Sequence, residues 1–304
     1  MIEQLNTLID SLSLDHKRGA SEIVRDAAEL FVEITLHGVE NSDAADHLFQ
    51  RAVRRLAKGQ PTMAPVLNLL NRLCKSREEK GEDWKEINAS IPTIYRQPSD
   101  YVDQMKQHLS MMPRATRLIA FSNSSTVAQI ITTTYSESGW PEHILCGEGR
   151  PVMEGVVLAK KLTAAGLDVT LFTDAALMSK VVEADAVWVG GDSLSRDGLV
   201  NKVGSRALAM LCQMRQIPFI SVMSSDKLLP TALAPFFYSV PQNPREIGGD
   251  DSESLNIHNE YYETLPLECV TSILTEDGVF APEVLITKME NEPLSPLFAR
   301  LVKR

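Results

Sequence analysis

Apolar residues in the first third of the chain return at helical spacing. Ile23, Val24, Ala27, Ala28, Phe31 and Ile34 trace one face, and Gly38 stops it. Ser42 stands where a cap is expected for a second helix, which carries Leu48, Ala52, Val53 and Leu56 and ends at Gly59. A third helix runs from about Met63 through Val66, Leu67, Leu70 and Leu73 into the charged run KSREEKGED, a solvated helix end and turn. The two prolines of INASIPTIYRQPSD predict a connector. Ser99 then caps a helix of Tyr101, Val102, Met105 and Leu109 that Pro113 closes. Beyond Pro113 the rhythm changes. TRLIAFS, EHILCG, DVTLFT, DAVWVGG and PFISVM are short, apolar and partly β-branched. Between them lie the helical patterns STVAQIITTTYSES, EGVVLAKKLTAAG, AALMSKVVEA and SRALAMLCQMRQ. Strands alternating with helices predict βαβ units and a parallel sheet. PQNPREIGGDDSES reads as a mobile polar loop, and NEYYETLPLECVTSILTEDGVFAP as a return to ordered structure. The fold class is α/β: a helical amino-terminal domain over 1–112, then a Rossmann-like parallel-sheet domain over 113–304 that carries the ligand site.

Bulk composition narrows the function classes. The 304 residues are 44% hydrophobic, enough for a sizeable core. A formal net charge of −10 argues against nucleic acid as the main partner, because duplex binders present a basic face. The four cysteines (Cys74, Cys146, Cys212, Cys269) are scattered with no CxxC pair, neither a disulfide framework nor a zinc site, which fits a reducing cytoplasm. The six histidines show no HxxxH or HExxH spacing, so no metal site is expected, and no cofactor is implied. MIEQLNTLIDSL lacks the basic start of a signal peptide. No run approaches the roughly 20 apolar residues of a membrane helix, so no membrane partner is expected.

Polar clusters fall where the apolar runs stop, and the carboxyl edge of a parallel sheet is where ligands bind. After TRLIAF come Ser122, Asn123, Ser124, Ser125 and Thr126. Backbone N–H groups and small hydroxyls there form an anion cradle, or the serines simply cap a helix. EHILCG leads to Glu148-Gly149-Arg150-Pro151. Arg150 is a fixed fork suited to phosphate or carboxylate, or one half of a surface ion pair with Glu148 or Glu154. Asp174 closes DVTLFT, either capping the next helix or orienting a ligand hydroxyl. DAVWVGG delivers Asp192 behind two glycines that allow close approach of a ligand, with a turn cap as the plainer reading. Asn201, Lys202, Gly204 and Ser205 precede a helix in a phosphate-binding arrangement, and Lys227 ends the set. This mix of groups suits a small, anionic, oxygen-rich molecule.

These motifs resemble one family: the alpha, beta and delta regulatory subunits of eukaryotic translation initiation factor 2B, with methylthioribose-1-phosphate isomerase and ribose-1,5-bisphosphate isomerase. Its pattern E-(T/S)-R-P-x-x-x-G matches Glu148, Arg150, Pro151 and Gly155. G-A-(D/E) matches Gly190 and Asp192, and N-K-I-G-T resembles Asn201, Lys202, Gly204 and Ser205. Arg18-Gly19-Ala20 matches R-G-A, Pro61-Thr62 resembles R-P-T, and Pro266 and Thr275 to Val279 resemble the closing segments. The resemblance implies a helical domain over a Rossmann-like one with a sugar-phosphate pocket between them, and a homodimer. Arg18, Arg150, Lys202 and Lys227 are expected to hold phosphate and Asp192 and Asn201 sugar hydroxyls, with Gly19 and Ala20 in the same phosphate- and sugar-binding set.

The family's isomerases use a cysteine and an aspartate to open the ring and move a proton between C1 and C2. The aspartate aligns with Asp192, but the cysteine position is Ser122. A thiol is readily tuned toward neutrality, whereas a serine hydroxyl needs a dedicated base, and none of the matched motifs holds a histidine. The expectation is therefore a phosphorylated-sugar or nucleotide binder with weak or absent activity. The alternatives are a working aldose–ketose isomerase using Asp192, or a regulatory subunit acting through its surface. Gln60 stands for the arginine of R-P-T, so one phosphate contact is expected to be missing, and Gly149 replaces a threonine or serine. Cys146 enters as a substitute thiol against the simpler reading of a buried core residue.

Overall fold

A computed structural model describes residues 2–15, 18–96, 98–239, 241–248, 255–290 and 292–303. The chain begins with five helices: α1 (Ile2–Leu14), α2 (Ala20–Gly38), α3 (Ser42–Gly59), α4 (Ala64–Lys80) and α5 (Trp84–Ile94). Phe31 of α2 and Phe49 of α3 pack edge to face with centroids 5.2 Å apart, and Trp84 of α5 lies tilted against Phe49 at 6.2 Å, within a buried apolar cluster. The cap of α3 is Asn41, whose side chain accepts from the Ala44 N–H at 3.1 Å. Ser42, the expected cap, instead accepts from Trp84 Nε1 at 2.9 Å. The expected connector INASIPTI is helical in α5, because Ile87 and Ile91 bury against the bundle and this burial outweighs the one backbone bond that Pro92, inside the last turn, forfeits.

The chain continues through α6 (Pro98–Lys106), β1 (Arg117–Phe121), α7 (Ser125–Ser138), β2 (His143–Gly147), α8 (Glu154–Ala164), β3 (Asp168–Phe172), α9 (Asp174–Ser179) and β4 (Ala186–Val189). A hairpin of β5 (Ser193–Ser195) and β6 (Gly198–Lys202) follows, then α10 (Ser205–Arg215), β7 (Phe219–Val222), β8 (Tyr262–Leu265), β9 (Ser272–Thr275), β10 (Gly278–Phe280), α11 (Pro282–Met289) and α12 (Pro296–Val302). Seven strands form one sheet in the order β10-β9-β7-β4-β1-β2-β3, parallel except at the β9–β10 edge. The five strands and four helices expected from the alternating pattern all form. A second, antiparallel sheet orders β5-β6-β8. Of the polar loop 241–254, residues 249–254 lie outside the described residues, and Pro244–Ile247 makes a short 3-10 turn.

Two compact units result, interleaved along the chain. One comprises Met1–Pro98, Asp226–Ser239 and Met289–Arg304. The other comprises Ser99–Ser225 and Val240–Lys288. A contiguous division at 112 differs from this. Leu229, Leu233, Phe298 and Leu301 join the core of the helical unit, and Tyr101, Val102 and Met105 join that of the sheet unit. Among the described residues no helix is long and apolar enough to cross a membrane.

Candidate functional site

β1 lies inside the sheet with β2 on one side and β4 on the other. The chain leaves β1 toward β2 and β3, then crosses back to β4. That reversal opens a crevice beyond the carboxyl ends of β1 and β4, the usual ligand position in such sheets. Ser122 follows β1 and Asp192 follows β4, so the two residues flank the crevice.

Ser122 adopts left-handed backbone, φ 69°, uncommon for a residue with a side chain. Its hydroxyl donates to Glu154 Oε1 at 3.3 Å. The same oxygen receives the Lys202 ammonium at 2.9 Å, and the Lys202 side chain is only 3% exposed. Glu154 Oε2 is buried and has no hydrogen-bond partner among the described residues. Lys202 Nζ also lies over the Tyr261 ring, 5.2 Å from its centroid. Tyr262 pairs with Lys202 across β6 and β8. Its hydroxyl is held well above the usual phenol range, first by the Asp192 carboxylate, then by burial, then by Glu154. Asp192 and Glu154 thus act electrostatically on one neighbour. Ser122, Glu154, Asp192, Lys202 and Tyr262 form a single cluster.

Arg150 follows β2 in a tight loop. The Asp174 carboxylate accepts from the N–H groups of Gly149 and Arg150, at 2.9 and 2.7 Å. Asp174 therefore pins this loop; Thr173 caps α9, through its hydroxyl on the Ala176 N–H. The Arg150 guanidinium is exposed and makes no ion pair among the described residues, so the surface pair expected with Glu148 or Glu154 does not form. Gly149 sits at φ 76°, and a Cβ there would lie 3.0 Å from Glu154 Cδ. The glycine at the threonine or serine position makes room for that carboxylate, and residues 149 and 202 approach the same side chain.

Several expected anion contacts are already filled from within. Glu263 Oε1 accepts from the N–H groups of Gly204 and Arg206, at 2.6 and 2.9 Å, occupying the start of α10. The buried Asn201 side chain donates to Ser205 Oγ at 2.9 Å, tying β6 to α10. At α7 the plain reading holds, because Ser124 Oγ caps the Val127 N–H at 3.3 Å. Gly190 and Gly191 admit protein groups: added Cβ atoms would meet Ser124 Cβ at 2.8 Å and Met223 Sδ at 2.7 Å.

Arg18, Gly19, Ala20 and Lys227 belong to the helical unit, whereas Ser122, Arg150, Asp192, Asn201 and Lys202 belong to the sheet unit. Arg18 is held by Asp15 and Asp26 at 2.6 and 2.5 Å, which raises its already high pKa. Gly19 caps α2 with its carbonyl, and Ala20 is buried as the first residue of that helix. Lys227 is buried in a turn that Asn68 secures through the carbonyls of Asp226 and Leu228. Gln60 is 1% exposed and donates to the carbonyls of Leu12 and Asp15, both at 2.7 Å, so it closes the end of α1. Cys146 is fully buried and its thiol is pushed up to about 12 by burial, which removes it as a substitute nucleophile. Sequence reasoning passed over Glu154, Tyr262 and Glu263 as site residues. Glu154 had a signal, an acidic residue opening a helix directly behind the Arg150-Pro151 turn, whereas the two on β8 become neighbours only through sheet pairing.

A sequence profile described as the initiation factor 2 subunit family matches residues 16–282. Ribose 1,5-bisphosphate isomerase of Methanocaldococcus jannaschii is 26% identical over 271 residues, covering 88% of each chain. Methylthioribose-1-phosphate isomerase of Geobacillus thermodenitrificans is 29% identical over 259 residues, covering 76% of this chain and 72% of its own. The crystal structure of the Pyrococcus horikoshii OT3 translation initiation factor eIF-2B superposes with a TM-score of 0.76 at 24% identity, covering 93% of this chain and 99% of that one. That likeness establishes a shared mixed α/β fold with a helical amino-terminal region.

Proposed function

Because the chain belongs to the initiation factor 2 subunit family, we propose that it binds a phosphorylated sugar or nucleotide with weak or absent isomerase activity. The observation that carries this reading is the crevice, where Ser122 and Lys202 meet on Glu154 and the Asp192 carboxylate raises the Tyr262 hydroxyl. Asp192 remains to hold a sugar hydroxyl, Arg150 is free for phosphate, and Lys202 supplies a second cation. Aldose–ketose isomerisation also needs a group that takes a proton from C2 and returns one to C1. Ser122 donates its hydrogen to a carboxylate and has no histidine partner among the described residues. General acid–base catalysis is worth about 10²–10⁴-fold, so a serine there removes most turnover while leaving binding contacts in place.

Isothermal titration against ribose 1,5-bisphosphate, methylthioribose 1-phosphate and nucleoside monophosphates tests the reading. Binding of at least one with a sub-millimolar Kd is expected, weakened by Arg150→Ala by about tenfold, the loss of one charge-assisted contact. No heat with any of them at millimolar ligand overturns it. Rapid turnover of either sugar phosphate, abolished by Asp192→Asn, replaces it with the active-isomerase reading. A homodimer in a cytoplasmic setting belongs to the same proposal. Sedimentation at twice the chain mass is expected, and a monomer at micromolar concentration overturns that part.

A further inference from the structure

A structural ion pair satisfies both of its partners, and Glu154 does not fit that description. Its Oε1 holds Ser122 and Lys202, while its Oε2 is removed from solvent with no donor among the described residues. A half-satisfied carboxylate is costly to keep in a fold and points to a use. The room for it is built in, since any side chain at 149 would press on its carboxylate. It also stands where incoming anion charge is expected to settle, on the ammonium of the buried lysine.

The neighbouring positive positions follow the same rule. Asp174 fills the N–H groups of Gly149 and Arg150, and Glu263 fills those of Gly204 and Arg206. Asp192 adds a further carboxylate at the crevice. Among the residues singled out in the sheet unit, the Arg150 guanidinium is the cation left without an internal carboxylate. One phosphate finds its cation in that guanidinium. A second must take the Lys202 ammonium from Glu154, leaving two anions on one lysine.

Resting on the ligand reading above, we propose that Glu154 acts as an internal anion that sets the charge this site accepts, admitting sugars with one phosphate and disfavouring sugars with two. Lys202 and Ser122 are its anchors, and Gly149 is the clearance that lets it stand there. Glu154 is thereby a specificity residue, reading the number of phosphates on the ligand.

The test titrates ribose 5-phosphate and ribose 1,5-bisphosphate into the natural protein and into Glu154→Gln, which keeps the shape and removes the charge. The natural protein is expected to bind the monophosphate at least about tenfold more tightly. Glu154→Gln is expected to gain about tenfold for the bisphosphate and less than about threefold for the monophosphate, since only the second phosphate competes with residue 154. A monophosphate-to-bisphosphate ratio that the substitution leaves unchanged overturns the proposal, with the ligand reading intact. If neither protein binds either sugar, the ligand reading falls and takes this one with it. Far-ultraviolet circular dichroism and the melting midpoint confirm that the variant is folded; should it fail to fold, Glu154→Asp, which withdraws the carboxylate by one methylene, must shift the same ratio in the same direction, and an unchanged ratio there also overturns the proposal.

Discussion

Replacing Ser122 by cysteine together with Glu154 by glutamine is expected to raise aldose–ketose isomerase turnover at least about 100-fold over the natural sequence. The sulfur supplies a group that ionises near neutrality, which the hydroxyl does not. The second substitution matters as much. A thiol at 122 replaces a hydroxyl that lies 3.3 Å from Glu154 Oε1, and a like charge at that distance disfavours the thiolate. Lys202, now paired with that carboxylate at 2.9 Å, is released to favour the thiolate instead. Ser122→Cys alone is therefore expected to recover far less than the double variant. Ketose formation from methylthioribose 1-phosphate and ribose 1,5-bisphosphate, measured at pH 7 and 8.5, is the readout. The double variant should gain more between the two pH values than the natural protein. Equal rates in the natural, single and double forms would show that residue 122 does not limit turnover.

Gly155→Ala is expected to destabilise the sheet unit by at least about 3 kcal/mol and to lower its melting midpoint by about 10 °C. The added Cβ would lie 1.9 Å from the Gly147 carbonyl oxygen and 2.9 Å from the carbonyl carbons of Gly147 and Glu148. Backbone presses on backbone there, so no side-chain rotation relieves the clash. The Gly155 N–H donates to Glu148 O at 3.0 Å, and that bond holds the start of α8 against the end of β2. Moving α8 outward would break it and carry Glu154 away from Lys202. Thermal unfolding followed by circular dichroism checks the prediction, and a midpoint within about 2 °C of the natural protein contradicts it.

The strands and helices of the sheet unit were legible because each has one period. Val187 to Val189 is buried on both faces and reads as an unbroken apolar run, Phe219 to Val222 is interrupted only by the buried Ser221, and α7 carries its own cap in Ser124. The positions of Ser122 and Asp192, just beyond β1 and β4, follow from that alternation, whereas Lys202 ends β6 of the second, antiparallel sheet, which the alternation does not predict. What pattern reading could not supply was the occupancy of the edge. Asp174 reaches back 25 residues to Gly149, and Glu263 reaches back 59 to Gly204. Such pairings depend on which strands lie side by side, information absent from any window of sequence. α5 was missed for a local reason, since two prolines outweighed Ile87 and Ile91 in the reading while the bundle core outweighs the prolines in the fold. The interleaving of the two units was missed for a global one. Leu229 and Phe298 carry no mark of the distant helices they pack with.

Because β1 is hydrogen-bonded to a parallel neighbour on each side, the backbone at its carboxyl end has little freedom to shift. On the ligand reading proposed above, a change of ligand is then met by exchanging side chains, with 122, 149 and 154 as a coupled set: an oxygen or a sulfur, a bare backbone or a branched residue, a charge or its absence.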